Sequence, residues 1–120
     1  MKVLDINERP EREIWADQMA TGKCTCTSLI QPSFCQTVDV AELIFTPGAR
    51  TKLFSFDIDW VVHVTCGKGT LATDKEENAI SAGTIAHIPA GEPRWIGAAQ
   101  DSTLVFMSTH RPMPTTRIME

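Results

Sequence analysis

The sequence predicts an all-β domain whose sheet closes into a barrel or packs as two faces. Short apolar stretches recur along the chain with Gly, Pro and Asp turn signals between them. Helical periodicity is almost absent, and 120 residues suit a single domain built on one core. Many short strands at near-regular intervals fit a closed or double-sheet architecture.

Residues 1–7 read as a first strand, and residues 11–19 (EREIWADQM) as one or two helical turns before Gly22. Residues 24–30 alternate weakly, and residues 31–33 turn around Pro32. Residues 37–45 (TVDVAELIF) alternate strongly, as a half-buried strand does. Pro47-Gly48 is a turn, and residues 50–56 form the next strand. Residues 57–59 turn again, and residues 60–66 are rich in β-branched side chains. Gly67-Lys68-Gly69 reads as a hairpin turn, since glycine supplies the positive φ such turns need. Residues 70–73 then pair back, residues 74–78 make a polar tip, and the chain resumes at Ala79-Ile80. Residues 84–88 form a strand ending at Pro89-Ala90-Gly91, and residues 103–108 form the last one. The proline-bearing tail is expected to run over the surface or onto a partner chain. No internal repeat, linker or low-complexity segment divides residues 1–120.

A formal charge of -4 and a pI near 5.3 argue against a broad electrostatic grip on nucleic acid or an anionic membrane. No stretch approaches the roughly 20 apolar residues that cross a bilayer. The N-terminus is polar and carries no apolar signal core, so a cytoplasmic location is expected. Cys24, Cys26, Cys35 and Cys66 are then expected as reduced thiols. C-x-C with a lone Cys35 is a poor zinc pattern.

Two glycine-anchored segments carry the strongest signal. In the first, Gly48 is followed after five residues by Phe54-Ser55-Phe56, after three more by Trp60, and after six more by Gly67. In the second, Gly83 is followed after five residues by Pro89-Ala90-Gly91, then by Arg94 and Ala98. This spacing resembles the two motifs of the cupin superfamily, motif one over 48–67 and motif two over 83–98. The family carries His-x-His and Glu in motif one and a third His in motif two. FSFDIDW and IPAGEPRWIGA also resemble the HSHDxDQ and IPAGExHWHGA of small single-domain cupins. The resemblance implies a double-stranded β-helix, a jelly-roll-like barrel, commonly dimeric. It also implies that Phe54, Phe56, Trp60 and Arg94 stand at the metal-ligand positions, with Phe106 where a later strand carries another histidine.

Phenyl and indole rings have no lone pair to offer a divalent cation, so neither metal nor cofactor is expected. One reading is that rings simply fill the barrel, avoiding unsatisfied buried imidazoles. The favoured reading is a metal-free site for a small aromatic or anionic molecule, an organic acid above all. Phe54, Phe56, Trp60 and Phe106 would be its walls and Arg94 its polar anchor. Arg94 needs a partner when buried, and Asp57, Asp59, Glu92 or a ligand oxygen would serve. A non-catalytic, dimeric cupin with a filled barrel is the first alternative. An enzyme of the dioxygenase, decarboxylase or isomerase kinds, using non-standard residues, is the second, and the sequence leans away from it. Strand parity points His63 outward and Cys66 inward, leaves His87 open, and places His110 in the tail.

Overall fold

The computed structural model describes residues 3–5, 7, 12–15, 19–30, 35–112 and 114–119. Among them there are twelve strands and no α-helix. The strands are β1 Glu13–Ile14, β2 Ala20–Thr21, β3 Cys24–Ile30, β4 Asp39–Phe45, β5 Arg50–Thr51 and β6 Phe54–Phe56. They continue as β7 Trp60–Thr73, β8 Glu77–Ser81, β9 Ile85–Ile88, β10 Arg94–Ala98, β11 Leu104–His110 and β12 Thr116–Ile118. All pairings are antiparallel, in the order β1-β3-β4-β11-β7-β10-β5-β2.

β7 organises the molecule. Its first half pairs with β11 and β9, and its second half with β10 and β8. One fourteen-residue strand therefore belongs to both faces of the curled sheet. The glycines expected to reverse the chain at 67–69 let it bend and continue instead. Gly67 has φ +81°, and a Cβ there would meet the Thr103 carbonyl oxygen at 1.7 Å. A Cβ on Gly69 would meet the Gly97 carbonyl oxygen at 2.0 Å, so the absent side chain lets β10 lie against β7. Just before them, Val105 opposes Cys66 while Phe106 opposes Val64, a bulge at Thr65. The extra residue resets the alternation and leaves Cys66 exposed rather than inward as parity predicts.

The inner faces form one apolar core. Phe45, Val64, Ile96, Leu104 and Phe106 have no exposure, and Leu43, Phe54, Trp60 and Val62 are at 1–2%. Burial of each such side chain contributes about 1.5–3 kcal/mol.

Other expectations also change. The described residues among the first seven are not a strand, and Asn7 N–H turns back onto Asp5 Oδ1. Glu13–Ile14 pairs with Cys26 and Thr25 as β1 instead of coiling into a helix. Part of the 11–19 segment and the turn at Pro32 lie outside the described residues. The strand expected over 50–56 is two short ones, and the polar tip shortens because β8 begins at Glu77. The tail folds back on its own chain: Thr116, Arg117 and Ile118 pair with Phe56, Ser55 and Phe54.

Candidate functional site: a caged guanidinium in the barrel

β6, β7 and β10 bring Phe54, Phe56, Trp60 and Arg94 to one place. Arg94 on β10 is the direct cross-strand partner of Phe54 on β6, so both side chains stand on the same face. The tight turn at 57–59 then carries the chain from Phe56 to Trp60 at the start of β7. β12 fastens the free edge of β6, the strand that presents both phenylalanines.

The three rings touch edge to face, with centroids 5.0 Å apart for Phe54–Phe56 and 5.7 Å for each of them with Trp60. Arg94 Cζ lies 5.5–5.6 Å from all three centroids. That separation lies within the range where a cation is attracted to a ring face. Phe106 joins through Trp60 at 6.2 Å, and Phe45 packs on Phe106 at 5.2 Å. Trp60 Nε1 donates to the buried Ser108 Oγ at 2.7 Å, which satisfies the indole in the core.

Arg94 has no exposure, yet only part of its donor set is used. Nε donates to the Glu92 carbonyl at 2.7 Å and Nη2 to the Pro89 carbonyl at 3.0 Å. Nη1 is buried and has no hydrogen-bond partner among the described residues. No carboxylate there pairs with it either, so Asp57, Asp59 and Glu92 do not play that part. Burial lowers the Arg94 pKa to about 10, and the charge of Glu92 opposes that shift. The side chain is still a cation at neutral pH.

No family model matches the sequence, and no curated protein matches it. Solved structures do. A cupin-like protein from Thermotoga maritima is 25% identical and superposes with a TM-score of 0.84, covering 96% of this chain and 88% of its own. The polyketide cyclase RemF from Streptomyces resistomycificus superposes at 0.89 with 19% identity, over 100% of this chain and 86% of its own. A sugar phosphate isomerase of the cupin superfamily from Silicibacter pomeroyi superposes at 0.81 with 21% identity, over 99% and 82%.

The chain is a cupin-superfamily barrel.

Cupin barrels commonly hold a metal, but the residues gathered here do not fit one. Three rings offer no lone pair, and the fourth side chain brings a positive charge of its own. Among the described residues no three His, Cys, Asp or Glu side chains lie together as a ligand set. What the arrangement can do is bind an acceptor. An unfilled guanidinium donor in low-dielectric surroundings favours a carbonyl or carboxylate oxygen, and flat rings favour a flat neighbour. Phe56 alone of the three rings is only partly buried, and its outer side meets the His110 ring at 5.6 Å.

Outside the cage, His63 is exposed, as its strand position predicts. His87 is exposed and lies 3.0 Å from Asp59. Burial raises Cys24 to about 12, and burial together with Glu13 and Asp39 raises Cys26 to about 11, so neither is a thiolate at neutral pH. Cys35 is held below the usual thiol range by the Thr37 and Val38 amides. The resemblance to the cupin motifs pointed to the four cage residues. It did not find Ser108, His110 or the two carbonyls that hold Arg94, because these meet the cage only once the strands pair.

Proposed function

We propose that this cupin works without a metal and binds a small, flat carboxylate or carbonyl compound in its barrel, anchored by Arg94. The observation that carries the reading is Arg94 Nη1, a buried donor of a charged group with no hydrogen-bond partner among the described residues. Leaving such a donor unfilled costs about 1–3 kcal/mol, and a ligand oxygen at Nη1 removes that cost. Phe54 and Trp60 are the fixed walls, and Phe56 is the ring that yields on entry. One similar structure is described as a polyketide cyclase. Polyketides are carbonyl-bearing compounds of the fitting class, although a shared fold lends direction and not activity.

A second reading has its own support. The rings already touch, and Phe54, Trp60 and Phe106 are at 0–2% exposure, which suits a filled barrel acting only through its surface. Thermal denaturation with millimolar benzoate, against benzyl alcohol as the uncharged control, separates the two. The ligand reading expects benzoate to raise the melting temperature of the wild type and to leave Arg94→Met unmoved. Equal responses from both proteins, or none from the wild type, would favour the filled barrel.

A further inference from the structure

We propose that Asp59 and His87 form a proton-linked clasp on the outside of the barrel that sets the pose of the Arg94 guanidinium inside it. The functional importance of the clasp rests on Arg94 being the ligand anchor, whereas its geometry does not.

The contacts run through one turn. Asp59 Oδ2 lies 3.0 Å from His87 Nε2, and Asp59 Oδ1 accepts the Ala90 N–H at 3.0 Å. Gly91 N–H donates to the Phe56 carbonyl at 2.7 Å. On the inner side of the same turn, the Pro89 and Glu92 carbonyls accept from Arg94 Nη2 and Nε. Residues 89–93 belong to no strand. Their seat therefore depends on a few contacts, and one carboxylate supplies the Ala90 contact while pairing with His87. Asp59 positions a backbone whose other face grips the guanidinium, and it touches no ligand itself.

His87 makes this arrangement responsive to pH, because histidine is the side chain whose charge changes between about pH 5 and 8. The groups facing it are acidic: Asp59 in the pair, with Glu76 and Glu92 on the walls of a groove of about 300 Å³ that His87 lines. On the facing strand His87 pairs with Val61, and the basic His63, two residues further on and on the same face, pairs with Ile85. Asp57 and Arg111 line the neighbouring groove with Asp59. The hydrogen bond from His87, then that from Ala90 N–H, hold the Asp59 carboxyl below its usual range. The pair carries opposite charges only while His87 is protonated, so its hold on the turn is the contact that responds to pH.

The test needs no ligand. Side-chain nitrogen NMR follows the Arg94 Nε–H, identified by its absence in Arg94→Met. Its exchange protection is taken relative to free arginine at the same pH. Between pH 6 and pH 8.5, protection in the wild type should fall about two- to five-fold, the range an exposed ion pair can contribute. Asp59→Asn keeps an acceptor for Ala90 but loses the charge, so its protection should start low and stay flat. His87→Gln should behave likewise. Both side chains are more than half exposed, at 64% and 58%, so neither variant opens the core. Variants that match the wild type in protection and in pH response would overturn the clasp. Benzoate binding is scored separately. Its absence in every protein, with the Arg94 response intact, sinks the ligand reading and leaves the clasp standing.

Discussion

Arg94 is a buried charge with no carboxylate in direct contact among the described residues, and that arrangement has a measurable consequence. Exchanging a buried ionic group for an apolar one of similar volume is often neutral or stabilising. Arg94→Met should therefore change stability by between 0 and about +3 kcal/mol in urea unfolding, even as it removes the proposed anchor. A loss of stability instead would mean that its two carbonyl bonds and three ring contacts outweigh the burial cost. The pH dependence follows the same logic. An arginine that burial brings to about 10 in the fold, well below its value when exposed, leaves the unfolded chain holding more protons between the two. From this group alone, stability rises with pH across that window. Ser108 offers the opposite case. Ser108→Ala strands the Trp60 indole N–H in the core and should cost about 1–3 kcal/mol in the same assay.

At the scale of elements, β7 decides the shape. Gly69 faces the Gly97 carbonyl of β10 so closely that Gly69→Ala must push the two strands apart, an overpacking cost of about 1–3 kcal/mol. Thermal or urea unfolding of that variant checks the claim, and an unchanged midpoint would contradict it. The strands were largely legible in the sequence, because glycines, prolines and aspartates punctuate alternating runs such as 37–45 and 84–88. Three features were not. Gly67-Lys68-Gly69 has the composition of a hairpin, and only pairing with β10 and β11 shows that the strand runs on. The bulge at Thr65 flips Cys66 without leaving any mark on residue types. β12 is stabilised by its pairing with β6, so its tertiary partner overrides a proline-bearing context. The four cage residues were legible because the glycine-anchored segments resemble the cupin motifs, whose ligand positions they occupy. Trp60 and Ser108 are 48 residues apart, and no local pattern joins them.

For the whole molecule, the sequence leads us to expect a homodimer. Among the described residues β9 pairs only with β7, and an uncovered edge strand invites pairing. Size-exclusion chromatography with light scattering should return about twice the 13.3 kDa chain mass, and a value near 13.3 kDa would remove the dimer. The fold itself is that of a cupin barrel. The most direct measurement is a crystal structure of the protein soaked in 4-bromobenzoate, with the bromine located by its anomalous signal. The expected result is a carboxylate oxygen within hydrogen-bond distance of Arg94 Nη1, with the Phe56 ring turned outward. Bromine absent from the barrel, with the three rings still in edge contact, would contradict it.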